Sequence, residues 1–161
     1  MAPLDALTGE TRMYIALATS LLLALAVAAA PPQLEDYPVE LTRIDHFAPT
    51  RPPHDGVTWK MDMYLRGDGQ DGDLDFADRF TVYLAGCGSG CIEYVLIDRV
   101  SGEVHPGQTL NNGRLAHRRD SRLLIVTQND GYGHPDRIEY LLWTGERLER
   151  IAYEERAFVP D

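Results

Sequence analysis

The sequence predicts an all-β protein: a mostly antiparallel sandwich or small barrel of about six to eight strands, preceded by a signal peptide. Three observations carry that reading. Short apolar runs with period-two alternation recur along the chain, the gaps between them are rich in Gly, Asn and Asp, and a charge-free apolar stretch stands near the N-terminus. Such runs at short spacing with turn residues between them describe antiparallel sheets.

The N-terminal stretch comes first. From Met13, "MYIALATSLLLALAVAAAPPQ" is uncharged, follows Arg12 and ends in small residues, with Ala26-Val27-Ala28 as a cleavage site. This is the layout of a secretory signal peptide. Met13 to Ala30 also reaches the lower edge of transmembrane length. Half of those residues are Ala, Ser or Thr, and no basic anchor follows, which favours cleavage over a retained anchor. The twelve residues ahead of Met13 contain two acids, so Met13 is an alternative start. The chain therefore divides into an N-terminal extension and signal peptide (1–30), a Pro-rich segment with one short strand (31–56) and a β-domain (57–161). Localisation is expected in the periplasm or outside the cell.

The β-domain then reads strand by strand. "VTWKMDMYLR" alternates, with Val57, Trp59, Met61, Met63 and Leu65 on one face, and is expected as a half-buried strand. "RFTVYLAG" points Phe80, Val82 and Leu84 inward. "CIEYVLIDRV" is apolar on both faces in its second half, the mark of a central strand. "RLLIVTQ" (122–128) and "RIEYLLWT" (137–144) are two more. "RLERIAYEERAF" also fits a helical stripe through Leu148, Ile151 and Ala152, but the Thr144-Gly145-Glu146 turn before it favours a strand. The echo between "IEYVLIDRVSGEV" and "IEYLLWTGERL" suggests two hairpins; a propeller would need about four blades and a longer chain.

Charge narrows the partners. The whole chain holds 25 acids and 15 bases; removing Asp5, Glu10 and Arg12 with the leader leaves 23 and 14, a net −9. This excludes binding to nucleic acid or to an anionic membrane by charge neutralisation, and after signal cleavage no membrane association is expected. The complementary partner is a cationic protein. No cofactor is expected, and Lys60 is the only lysine available for amine chemistry.

The residues that carry chemistry centre on Gly86-Cys87-Gly88-Ser89-Gly90-Cys91. A strand enters this stretch and another leaves it, so its three central residues form a hairpin turn and the cysteines face each other. An exported chain meets an oxidising compartment, and a structural disulfide between Cys87 and Cys91 is favoured. Thiol redox chemistry is weaker, because Cys-x-x-Cys sites open a helix that stabilises the thiolate, and here the spacing is longer and a strand follows. Metal binding needs further ligands; His46, His54, His105, His117 and His134 lack ligand spacing. Ser89 does not sit in a strand-to-helix nucleophile elbow, and the stretch lacks the Lys that ends a phosphate loop. Its glycines remain able to offer backbone N–H groups to a partner. Asp71, Asp73 and Asp75 have the first spacing of a calcium loop, but Phe76 and Val82 stand where glycine and glutamate are required. Gly88, Ser89, Gly90 and Tyr94, with Tyr132 and His134 of "NDGYGHPD", form the candidate binding loops.

Over residues 79 to 126, "GCGSGCIEYVLIDRVSGEVHPG" followed by "DSRLLIV" resembles a group of small secreted bacterial proteins with a Gly-Cys-Gly-Ser/Thr-Gly-Cys turn. That resemblance implies export and β-structure and assigns no reaction. A fainter likeness is to periplasmic lysozyme inhibitors, small acidic β-proteins that insert a Ser-Gly loop and a nearby tyrosine into a basic enzyme's cleft. It casts Ser89, Gly90 and Tyr94 in those roles, although the spacing departs from the inhibitor motif. The expectation is a non-catalytic binding or structural protein of the cell envelope. The alternatives are an inhibitor of a basic secreted hydrolase such as lysozyme, and a thiol redox or metal-binding protein using Cys87 and Cys91.

Overall fold

A computed structural model describes residues 30–51, 55–67, 72–131 and 133–157. The signal peptide expected over residues 1–30 falls, up to residue 29, outside the described residues, as do His54, Asp68, Asp71 and Tyr132. Seven strands are described: β1 (Phe80–Gly88), β2 (Cys91–Asp98), β3 (Val104–Asn111), β4 (Arg114–Ala116), β5 (Leu123–Gln128), β6 (Asp136–Trp143) and β7 (Leu148–Arg156). All pairings between them are antiparallel. They form two meanders, a three-stranded sheet β1-β2-β3 and a four-stranded sheet β4-β5-β6-β7. The result is an open sandwich of two sheets, and the closed-barrel alternative does not apply.

Alternation explains why the sheets stack. Phe80 and Val82 of β1, Tyr94 and Leu96 of β2 and Leu110 of β3 form one buried cluster with Leu124, Val126, Leu141 and Trp143 of the second sheet. Trp143 stands edge-on to Phe80 at 4.6 Å between ring centroids, with His105 at 5.4 Å. Facing aromatic and aliphatic rows exclude water, and each fully buried large side chain contributes about 1.5–3 kcal/mol. Strand β2 is buried from Glu93 to Asp98, because its second face is covered too. The ambiguous segment near the C-terminus is the strand β7.

Strands β3 and β4 lie outside the runs expected as strands, Leu84 of β1 faces solvent instead of the core, and one expected strand is a helix. Residues 59–66 form a helix, α1 (Trp59–Arg66), in place of the half-buried strand. The alternation that suggested a strand also contains the i, i+4 pair Met61 and Leu65, and that pair alone is fully buried. Trp59 is 77% exposed and Met63 also faces solvent. Local chemistry starts and supports the helix. The Thr58 hydroxyl accepts the Met61 N–H at 3.2 Å, and Arg66 reaches Asp62 one turn back. Thr58 is itself fixed by the Glu93 carboxylate of β2, which accepts its N–H at 3.0 Å and its hydroxyl at 2.6 Å. Thus Met61 and Leu65 cap Ala85, Val95, Ile97 and Val104 on the outer face of the first sheet.

The segment from Pro31 to Arg51 covers the rest. A single 3₁₀ turn, Leu34–Asp36, sets Leu34 and Tyr37 against Leu123, Ile138 and Tyr140 on the outer face of the second sheet. The short strand expected here takes the form of two isolated bridges, Pro38 with Ser121 and Arg51 with Glu103. Between them the chain crosses one end of the sandwich. Arg122 N–H donates to Tyr37 O at 2.9 Å, Ala48 N–H to Arg99 O at 2.9 Å, and Arg51 N–H to Gly102 O at 2.7 Å. Thr42 donates its N–H and hydroxyl to Asp78, which also holds Arg119 at 2.6 Å. The strap lies so close to the β2–β3 turn that a Cβ on Gly102 would stand 2.1 Å from Pro49 O. Among the described residues no helix is long and apolar enough to cross a membrane.

Candidate functional site

The end opposite the strap is built by the cysteine turn. Strand β1 slips register between Gly86 and Gly88, so that Gly88 faces Cys91 across the hairpin. Cys87 and Cys91 are joined by a disulfide, their Cα atoms 5.1 Å apart, within the range a bridge requires. In this bonded state the sulfurs carry no thiolate to hold a metal ion. Gly88, Ser89 and Gly90 are all exposed at the apex. Gly90 adopts φ +67°, and a Cβ there would meet Asn112 Oδ1 at 2.5 Å, so conformation and space both call for glycine.

Asn111 and Asn112, at the corner between β3 and β4, tie this turn to a second loop. Asn112 N–H donates to Gly90 O at 2.5 Å, and Asn129 N–H donates to Asn111 O at 3.1 Å. Asn129 begins the β5–β6 loop and accepts the Gly131 N–H on its side chain at 3.1 Å. Its amide donates to Asp136 at 2.9 Å, and Asp136 also pairs with Arg114 at 3.2 Å. His134 follows, exposed, its N–H donated to Gly131 O at 3.2 Å. The structure thus brings Gly88, Ser89, Gly90 and His134 to one end of the sandwich. Tyr132, between Gly131 and Gly133, lies outside the described residues.

Tyr94 is elsewhere. It sits on the inner face of β2, 1% exposed, with its ring packed where a Cβ on Gly107 would be, 2.3 Å away. Burial, reinforced by the nearby Glu139 charge, pushes its hydroxyl up to about 12, so it is a neutral phenol at any physiological pH. It is not presented beside Ser89 at the turn.

Tyr94 instead backs a cleft of about 410 Å³ between the sheets, lined also by Pro106, Gly107, Gln108, Leu141 and Leu148. Glu139 and Arg150 complete it. The Glu139 carboxylate accepts from Arg150 at 2.9 Å and from the Gln108 amide at 3.2 Å. Nothing in the sequence marks this site, because Glu139 and Arg150 occupy ordinary strand positions. The bulge opposite Tyr140 and Leu141, which sets Arg150 on the same side as Glu139, has no sequence marker.

Three further acids make structural bonds. Asp98, 2% exposed, takes Arg79 at 2.7 Å together with the Ser101 hydroxyl at 2.8 Å and the N–H groups of Val100 and Ser101. Burial works to raise its carboxyl, but these donors outweigh it and hold the group below the ordinary carboxylate value. Asp78 is lowered in the same way by Thr42 and Arg119 against burial. Asp75 accepts the Val82 N–H at 2.8 Å, and there burial wins and raises the carboxyl. In the acidic stretch 68–78, the described carboxylates of Asp75 and Asp78 thus tie the segment to β1 and to the strap. No group of three or more His, Cys, Asp or Glu is arranged to hold a metal ion among the described residues. No family model, curated protein or solved structure matches the chain.

Proposed function

We propose that this protein is an exported, non-catalytic binding domain of the bacterial cell envelope that meets its partner with the end formed by residues 86–91, 129–131 and 133–135. The observation that carries the reading is the asymmetry of the two ends. The strap from Pro31 to Arg51 is laid over one end and bonded to it along its length. The other end leaves a glycine-rich turn exposed, fixed by a disulfide and by Asn112. A loop whose conformation is set beforehand loses less entropy on binding, which is a use for a staple placed at a surface apex. The buried acids Asp98 and Asp78 are taken up by structural bonds to Arg79 and Arg119. The likeness to small secreted proteins with the same cysteine turn supports export.

A photo-crosslinking residue placed at Ser89 in the native host tests this, with the same residue at Glu146, in the β6–β7 turn at the strap end, as control. The reading expects a discrete adduct from Ser89 and none from Glu146. Equal labelling from both positions, or none from either, would remove the loop end as the contact surface.

The net −9 of the mature chain favours a cationic partner, and a basic secreted hydrolase such as lysozyme is the second reading. Here Ser89 and the backbone of the turn would make the contact without Tyr94, whose ring is buried. A lysozyme activity assay decides it. Inhibition should weaken with added salt and with Ser89→Ala, whereas an enzyme unaffected by excess protein at low salt excludes it.

A further inference from the structure

The cleft between the sheets poses a problem of its own. Inner-face positions of a sandwich are normally apolar, and Glu139 lies on the same face as Leu141 and Trp143, its side chain only 16% exposed. A carboxylate set there costs free energy unless paired. It is paired, with Arg150 and Gln108, so the three groups form a charge-balanced polar cluster beside the apolar surface of Pro106, Leu141 and Leu148.

We propose that this cleft is a binding site for a saccharide, one or two sugar rings long. Its volume, about 410 Å³, falls in the range of small-ligand sites. Glu139 and Arg150 cancel, so a ligand carrying net charge would leave one charge unmatched on entry; a neutral ligand does not. The polar cluster both donates and accepts. The carboxylate has more acceptor sites than its two protein bonds use, Gln108 has an amide oxygen, and the guanidinium has further N–H groups beyond the one given to Glu139. A vicinal pair of sugar hydroxyls matches this set, since each hydroxyl accepts from one group and donates to another. The C–H face of the same ring fits the Leu141, Leu148 and Pro106 surface. Gly107 keeps Tyr94 seated behind the cleft, where a larger residue would displace its ring. This site is separate from the loop end, and either can fail without the other.

The test is amide chemical-shift titration of the protein purified from its native host. The probes are cellobiose, maltose, lactose and the disaccharide of N-acetylglucosamine at millimolar concentration, with benzamidine and benzoate as charged controls. The expected result is saturable shifts at Gln108, Glu139 and Arg150 with at least one sugar, and about tenfold or greater weakening in Gln108→Ala or Glu139→Gln. Gln108 is exposed, so its variant keeps the fold, and an unchanged spectrum elsewhere verifies that. Repeating the titration with the matching soluble polysaccharide separates the sources: binding of both forms assigns a glycan chain, and binding of the disaccharide alone a free sugar. Silence with all four sugars, tighter binding of a charged control, or sugar binding untouched by both substitutions would overturn the proposal.

Discussion

Asp98 accepts five hydrogen bonds from Arg79, Val100 and Ser101 at the β2–β3 turn, and its backbone carbonyl takes the Gly102 N–H. In sequence it is one acid among 25, and nothing marks it beyond its place at the end of an apolar strand. Its importance appears only when Arg79, 19 residues earlier, arrives beside it. Because its folded carboxyl is depressed, the stability it contributes is fully present above the unfolded-chain value of 3.8 and is lost as pH falls through the folded value. Asp98→Asn should destabilise the protein by about 2–3 kcal/mol at neutral pH, less than a fully buried pair because Arg79 is half exposed. The difference from wild type should shrink below pH 3.8. Urea melts of both proteins across the acid range measure it. Asp78 should behave with the same sign. Asp75, raised by burial, contributes with the opposite sign: stability present when it is protonated and lost as pH rises through its folded value.

Among the elements, β1, β2, β5 and β6 were legible because each pairs apolar alternation with β-branched or aromatic residues, as in "FTVYL" and "LLIVT". Helix α1 was not, and the reason is physical. A run with apolar residues at every second position contains i, i+4 pairs as well, and what decides is the surface it meets. Here Glu93 caps Thr58, and the outer face of the first sheet offers a two-residue groove to Met61 and Leu65. The cysteine turn was legible because a strand enters it and another leaves it, which sets the two cysteines opposite each other across three turn residues. Its coupling to Asn111 and Asn112 was not, since those contacts join residues distant in sequence. Replacing both cysteines by alanine should cost about 2 kcal/mol on the loop-entropy estimate while leaving the sheets intact. Thermal denaturation with far-ultraviolet circular dichroism reads both effects. A loss of strand signal at room temperature would mean that the bridge organises more than its own hairpin.

At the scale of the molecule, the strap is the least legible part and the most consequential. A Pro-rich segment without periodicity gives no hint that Leu34 and Tyr37 seal one sheet while Ala48 and Arg51 bond to the other. Buried Arg99, 1% exposed, depends on it: the guanidinium bonds Thr81 at 2.7 Å and lies 5.7 Å from the Phe47 ring. Deleting residues 31–50 should expose the second sheet's outer face and loosen the Arg99 turn. The expected readouts are binding of a hydrophobic dye and a clear drop in the urea midpoint; an unchanged midpoint would make the strap dispensable. The strap also covers one end of the sandwich and leaves the cysteine-turn end exposed.

The proposed function needs an exported domain whose exposed turn is held closed by its disulfide. Intact mass of the protein recovered from its native compartment, alkylated with and without prior reduction, tests that most directly. The expected result is a chain beginning near Ala29 that takes up two alkyl groups only after reduction. A chain retaining Met1 or Met13, or one alkylated at both cysteines without reductant, would contradict it and turn attention to an anchored protein with working thiols.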